Sequence, residues 1–510
     1  MNPLIKNSLK NVLVFLITLV ICAGTLLLVC QIPQSAIREN SEKSSRYFSD
    51  HEAFPLMIGD KVNSRSDNYA DCMLFNVIYN MDDDNSFRSI IADSYYGIEG
   101  KEASDNFHAA VFDGETPNQE YSRYWHGSQI FIRPLLTFMS IEGIRLVMLG
   151  LLLAANLWLA AALLRKKLYA PAAVYFLSLI LVGIWMTAFS LEYIMSFLVM
   201  TFICIAVVRI TDPRPPRKNR PPEDALSPFS PFELSIRSRR LTFAFIAGGA
   251  LTSFLDFLTT ETITFTVPVI LLLMICKSSD LLPSFRVALK TIVKWGFAWL
   301  LSYAAMFAVK WALVYAVLGK SAFLNALQNA ALRIEGAVTV DGLGLGETAT
   351  LWQKLTGVLL RNLSCLFPVG TDVTAGMVIG LTLGSLALLG AIFYLFRKEK
   401  VDGRFIGLAL LVGLIPYLRF LCLSNHSYIH YFFTYRAQMA TVMALAAILI
   451  FSLSTEILSK SSGSGSKSWK GHPAPAGKGV RGKVGKADKG VSGTSRKSAK
   501  GKKKGKGGKK

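Results

Sequence analysis

Two carboxylates four residues apart, Asp67 and Asp71, open the segment Ser66-Asp67-Asn68-Tyr69-Ala70-Asp71-Cys72-Met73-Leu74. On a helix, positions i and i+4 share a face, so both acids would address one ligand, metal ion or proton. Met73, Leu74, Val77 and Ile78 follow at helical spacing and would lay that helix on an apolar surface. A carboxylate held away from bulk water keeps its proton to higher pH, which suits a general base or a metal ligand. The competing reading makes Asp67 the N-cap of a solvated helix start. Asp82-Asp83-Asp84 looks similar but sits among Asn and Ser, and it reads as a turn.

Two further stretches combine cations with aromatic rings. In Tyr121-Ser122-Arg123-Tyr124-Trp125-His126-Gly127, Arg123 and His126 would stand where a lipid phosphate or sugar lies. In Ser424-Asn425-His426-Ser427-Tyr428-Ile429-His430-Tyr431-Phe432-Phe433-Thr434-Tyr435-Arg436, His426 and His430 have a spacing that chelates a metal if helical. The pair lacks the glutamate of an HExxH motif, so hydrogen bonding to sugar hydroxyls or pyrophosphate is an equal use. Tyr435 and its neighbours offer faces for a pyranose, and Arg436 can grip phosphate through two N–H groups. An interfacial aromatic belt is the structural alternative for both stretches. Glu192, Asp256, Glu261, Lys310 and Arg419 lie within or beside apolar runs. There a charge costs about 2.5–3.5 kcal/mol on insertion scales and normally faces a cavity or a partner.

The elements that must position these groups are membrane helices. The chain has 510 residues, 52% of them hydrophobic, and a mean hydropathy of +0.40, too apolar for an ordinary soluble protein. A bilayer core of about 30 Å needs about 20 apolar residues per helix. Runs at 11–31, 143–164, 169–187, 189–209, 241–258, 262–277, 290–318, 375–396, 404–423 and 436–458 predict about ten spans. The fold class expected is therefore an all-α polytopic membrane protein with a large, mixed α first loop outside the cytoplasm. Residues 1–31 read as a retained signal anchor, 32–142 as the outer loop, and 143–458 as the bundle. The bundle includes a Pro-rich inner loop at 210–240 and an outer loop at 319–374. The latter is Gly-rich at Gly336–Gly346 and amphipathic across Leu351–Leu363, as an interfacial helix would be.

Charge sets the orientation, since Lys and Arg gather on the cytoplasmic side. Lys6 and Lys10, then Arg165-Lys166-Lys167, the basic 210–240 loop, Lys277 with Arg286 and Lys290, and Arg397-Lys398 all fall on one side of the expected spans. Both termini would then be cytoplasmic and the 32–142 loop extracytoplasmic. The net charge is +21, of which residues 460–510 carry 17 basic residues against Asp488 alone. That Lys/Gly-rich tail, 459–510, reads as disordered, a solvated topology signal or a partner for anionic lipids. Trp469 is its only aromatic residue, which argues against nucleic-acid binding. The seven cysteines form no CxxC pair, so neither a disulfide framework nor a zinc site is indicated.

One signal anchor, a large first outer loop with early acids and many later spans resemble the GT-C superfamily of glycosyltransferases. The segments Asp67–Asp71, Arg123–Gly127 and Asn425–Arg436 are similar to bacterial GT-C-like membrane proteins across about residues 1–458. Unlike better-known members, the chain has no adjacent Asp-Glu or DxD pair just after the first span. The resemblance implies a bacterial plasma-membrane enzyme that transfers sugar, with inversion, from a polyprenyl-phosphate donor to an envelope polymer, lipid or protein. It implies Asp71 as the catalytic base or a metal-binding acid, with Asp67 as the other catalytic candidate, and the Arg and His residues as the grip on the donor phosphate. The substrate-binding set is then Arg123, His126, Glu192, Asp256, Lys310, His426, His430, Tyr435 and Arg436. Asp71, His426 and His430 form the candidate set for a divalent metal ion, and no other cofactor is indicated. A flippase for a lipid-linked sugar and a non-catalytic envelope assembly factor are the alternatives. The gathering of ionisable residues on one side, and the lack of internal repeats, favour the enzyme.

Overall fold

A computed structural model of the chain describes residues 3–211, 231–335 and 350–453. The Pro-rich 212–230 segment, the Gly-rich 336–349 segment and the basic tail therefore lie outside the described residues. Helix accounts for 76% of the structure. Among the described residues the only strands are Ser94–Tyr95 and Gln119–Glu120, which pair antiparallel. The protein is all-α.

Seven helices among the described residues are long and apolar enough to cross a membrane. They are Ile5–Cys30, Ile141–Arg165, Glu192–Ile210, Phe285–Leu318, Ala375–Phe396, Gly403–Cys422 and Tyr431–Ser452. Against the ten spans expected, Tyr169–Leu181 and Ile263–Ser278 are apolar but shorter, and the remaining run falls within helix Pro231–Leu255. Tyr169–Leu181 is short for a visible reason. Gly183 ends it at φ +68°, and the Tyr435 hydroxyl donates to the freed Val182 carbonyl at 3.0 Å. A Cβ at Gly183 would approach that hydroxyl to 3.0 Å, so this helix stops where Tyr435 enters.

The polar region after the first helix is not a separate domain. Helices Gln34–Asp50, Asn68–Tyr79, Ser86–Ala92, Ala103–His108 and Gln129–Leu136 surround Phe48, Phe75 and Phe107, whose rings meet edge to face. Those residues belong to the same apolar core as Met148, Phe197, Phe254 and Trp299 of the long helices. Arg133 joins them from below: fully buried, its guanidinium donates to the carbonyls of Ile32, Ile78 and Met81. Asp82 caps the turn expected at Asp82–Asp84, accepting the Asp84 and Asn85 N–H groups at 3.0 and 3.3 Å. The amphipathic stretch at 351–363 is helix Leu351–Ser364, begun by a reciprocal Thr350–Gln353 capping box.

Candidate functional site

Asp67 and Asp71 share a helix face and are both buried, at 2% and 1% exposure, but their partners differ. Asp67 is the N-cap of helix Asn68–Tyr79, and its Oδ1 accepts the Ala70 N–H at 2.8 Å. The cap was one of the two expectations, but the helix start is buried rather than solvated. Asp71 Oδ2 accepts Arg145 Nη2 at 2.6 Å and Nε at 3.0 Å, and its two oxygens share the Leu191 N–H at 3.0 and 3.2 Å. Arg145 is saturated in turn by the Tyr47 hydroxyl at 3.0 Å and Asn68 Oδ1 at 2.8 Å. Both oxygens of Asp71 are committed, so this residue ties helix Asn68–Tyr79 to helices Ile141–Arg165 and Glu192–Ile210. Burial raises the pKa of Asp71, against the pull of Arg145 and the Leu191 amide.

Asp67 has only the Ala70 bond to its side chain among the described residues. Burial pushes it up to about 7, opposed by the Ala70 N–H and Arg145 and reinforced by the charge of Asp71. A carboxyl that titrates near neutrality can take a proton and return it at physiological pH.

Tyr193, within electrostatic reach of both Asp67 and Arg436, leads to a cationic, aromatic cluster. Val62, Met186, Tyr193, Cys365, Tyr431, Phe432, Phe433 and Tyr435 form an apolar core of their own. Into it come three guanidinium groups. Arg436 lies 4.5 Å from the Tyr193 ring centre and 4.9 Å from that of Tyr435, and Arg65 lies 5.7 Å from that of Phe432. Arg361 lies 3.8 Å from that of Tyr428 and 5.2 Å from that of Tyr431. All three lie within electrostatic reach of the Cys365 thiol, which burial pushes up to about 12, leaving it protonated and inert. Arg436 is 1% exposed and donates to the Phe432 carbonyl at 3.2 Å, while its Nε and Nη2 have no hydrogen-bond partner among the described residues. Arg65 Nε is likewise buried without one. A buried donor left unpaired costs about 1–3 kcal/mol, and an anionic oxygen would satisfy several of these at once.

The other expected residues divide between two further places. Lys310, fully buried, donates to Asp93 Oδ2 at 2.8 Å and the Ile90 carbonyl at 2.9 Å, while Gln129 donates to Asp93 Oδ1 at 2.9 Å. Burial pushes Asp93 up to about 6 against the pull of Lys310. Lys310 thus pins helix Phe285–Leu318 to the end of helix Ser86–Ala92. Beside it, His126 at φ +49° has Nε2 on the Tyr121 carbonyl at 3.0 Å. Burial, with Lys310 and Arg123 nearby, holds His126 well below the usual histidine range, so it is neutral and supplies no charge to a phosphate. The bend at His126 is seated by Gly127, whose N–H donates to the Phe254 carbonyl at 2.9 Å. A Cβ there would come within 2.4 Å of that oxygen. Arg123 is stacked 4.0 Å from the Tyr121 ring centre, and its own carbonyl accepts Trp311 Nε1 at 3.2 Å.

The second place is the turn after Leu255. Asp256 accepts the hydroxyls of Ser196 and Thr259 and the Thr259 N–H at 3.0 Å. Leu258, at φ +65°, presents its carbonyl to Arg419 and to His426 Nε2, the latter at 2.9 Å. Arg419 also meets both Glu261 oxygens, at 2.8 and 3.2 Å, which fixes the turn. His430 stays beside His426, with ring centres 4.7 Å apart, and stacks on Phe433 at 5.0 Å. Glu192 is buried at the start of its helix, next to Tyr193. Among the described residues no three His, Cys, Asp or Glu side chains gather to hold a metal ion. The set Asp71, His426 and His430 is thus not assembled: Asp71 faces Arg145, and His426 faces the Leu258 carbonyl.

Sequence reasoning passed over Arg65, Arg133, Arg145 and Tyr193. Arg145 had a usable signal, a lone cation four residues into an apolar helix that has to meet a partner. The others carry no local pattern that separates them from neighbours. The fold is that of an all-α protein with membrane-length apolar helices. Comparison of the chain with protein-family models, curated proteins and solved structures gave no match.

Proposed function

We propose that this chain is a GT-C-like membrane glycosyltransferase, moving a sugar from a polyprenyl-phosphate-linked donor to a cell-envelope acceptor. The carrying observation is the pair of buried, unpartnered N–H groups on Arg436, which shares the electrostatic reach of Tyr193 with a carboxyl that titrates near neutrality. In this reading Arg436 and Arg65 grip the donor phosphate, and the aromatic wall takes the first apolar units of its lipid. Asp67, rather than Asp71, accepts the proton from the acceptor hydroxyl. That oxygen forms the new bond to the sugar's anomeric carbon from the face opposite the phosphate. The carbon–oxygen bond to phosphate breaks, and polyprenyl phosphate leaves with the electron pair. Asp71–Arg145 and Asp93–Lys310 hold the wall of the site without touching the reacting atoms. The same reading sets the site on the outer face of a bacterial plasma membrane, with ten spans, both termini cytoplasmic, and the basic tail against anionic lipids.

The test is turnover in proteoliposomes supplied with a panel of polyprenyl-phosphate-linked hexoses and pentoses, following release of polyprenyl phosphate. Wild-type protein consumes at least one donor, and Asp67→Asn slows it by roughly a hundred- to ten-thousand-fold, the usual contribution of a positioned base. Equal turnover by Asp67→Asn, or no turnover by wild type with any donor, overturns the proposal.

A further inference from the structure

The rim beside Asp67 is built from aromatic side chains that the core does not fully absorb. Tyr69, two residues on from Asp67, is 44% exposed and stacks on Phe54 with ring centres 5.8 Å apart and planes 24° from parallel. Phe54 in turn meets Phe432 edge to face at 5.8 Å, which joins this rim to the arginine cluster. On the other side, half-buried Tyr121 contacts Tyr95 at 6.1 Å and Tyr124 at 5.9 Å. Arg123 lies flat over Tyr121, and its Nε is buried without a hydrogen-bond partner. Tyr69 is within electrostatic reach of Tyr95, Tyr121, Arg123 and Asp67, so the two sides face one region. Burial, with Tyr121, Tyr95 and Asp67 nearby, raises Tyr69 against the pull of Arg123, and burial likewise raises Tyr95, so both phenols stay protonated and can donate hydrogen bonds.

An interfacial belt would scatter such residues around the outside of the spanning helices. Here they come from the start of helix Asn68–Tyr79, the small hairpin at Ser94–Tyr95 and Gln119–Glu120, and the loop before Gln129. Tyr69 links them to Asp67, which lies within its electrostatic reach. Flat aromatic faces next to phenol hydroxyls and a stacked guanidinium match a sugar ring, whose faces are apolar and whose edge carries hydroxyls.

We propose that Phe54, Tyr69, Tyr95, Tyr121 and Arg123 form an acceptor subsite, and that the acceptor is a carbohydrate chain laid across these rings with one hydroxyl at Asp67. The proposal rests on the transferase reading for the role of Asp67, but its test does not need turnover. Full-length protein in nanodiscs is titrated with an array of short linear glycans, neutral and acidic. Wild-type protein retains at least one of them. Tyr69→Ala and Tyr121→Ala each weaken that binding by about tenfold, the scale of one lost aromatic stack. No retained glycan, or unchanged affinity in Tyr69→Ala, overturns the proposal. So does a Tyr69→Ala variant that loses only its association with anionic-lipid vesicles, because that marks the rim as a membrane belt. Glycan binding that follows the rim in a protein inactive on every donor would sink the transferase reading and leave the subsite standing.

Discussion

Asp71 and Asp67 stand one helical turn apart, equally removed from water, and yet they belong to two different kinds of region. Around Asp71, as around Asp93 and Glu261, a cation meets the carboxylate directly, at 2.6, 2.8 and 2.8 Å for Arg145, Lys310 and Arg419. Backbone groups and neutral side chains take up further hydrogen-bonding positions. Around Asp67 and Arg436, opposite charges are present but not in contact, and donors remain without partners. The difference teaches where to look for chemistry. A buried charge that is fully paired has one job, which is to fix geometry. A buried charge held short of pairing is costly to keep and answers to something that is not part of the chain.

The sharpest way to break this contrast is to attack the paired region. Lys310→Met leaves Asp93 buried without its cation, and should destabilise the protein by about 3–5 kcal/mol. The double variant Lys310→Met with Asp93→Leu should recover most of that loss. Thermal unfolding in detergent reads both, and a single variant as stable as wild type would show that the pair anchors nothing.

Arg436→Ala probes the unpaired region and should behave in the opposite manner. It removes donors that lack partners, so unfolding should be little changed, while donor affinity falls by about 1.5–3 kcal/mol, the worth of a hydrogen bond to a charged group. Titration with a polyprenyl phosphate measures that affinity. Intact donor binding by Arg436→Ala would remove the phosphate role.

A smaller effect is the pH dependence of Asp67. Below about 7 the carboxyl is protonated and cannot accept a proton, so the rate should fall about tenfold per pH unit below that point and level off above it. Stability carries the opposite sign. The folded pKa is raised, so charging Asp67 works against the fold, and unfolding temperature should decline as pH rises from the ordinary carboxylate range to about 7. Asp67→Asn should flatten that decline, and an unchanged slope would place the titration elsewhere.

Much of the contrast was hidden from the sequence for a physical reason. The i, i+4 spacing of Asp67 and Asp71 foretold a shared helix face, and the N-cap reading of Asp67 followed from its type. What separates their roles is contact with Arg145, 74 residues further on, and no periodicity reports such a pairing. Lys310 stood out as a charge in an apolar run and was expected to bind substrate, but the structure pairs it with Asp93, 217 residues earlier at a left-handed turn. His426 and His430 looked like a chelating pair because their spacing is helical. Their rings do lie 4.7 Å apart, but His426 Nε2 meets the Leu258 carbonyl, His430 stacks on Phe433, and among the described residues no third metal-binding side chain joins them. Apolar run lengths located the long helices well. They failed at Tyr169–Leu181, where a tertiary contact from Tyr435 decides the end.

The most direct measurement is a side-by-side comparison of Asp67→Asn and Asp71→Asn, each followed for unfolding temperature and for sugar transfer in proteoliposomes. The account predicts that Asp67→Asn folds as well as wild type and transfers almost nothing. It predicts that Asp71→Asn unfolds at markedly lower temperature, with activity lost only in proportion to the folded protein lost. A stable but inactive Asp71→Asn beside an active Asp67→Asn would contradict it.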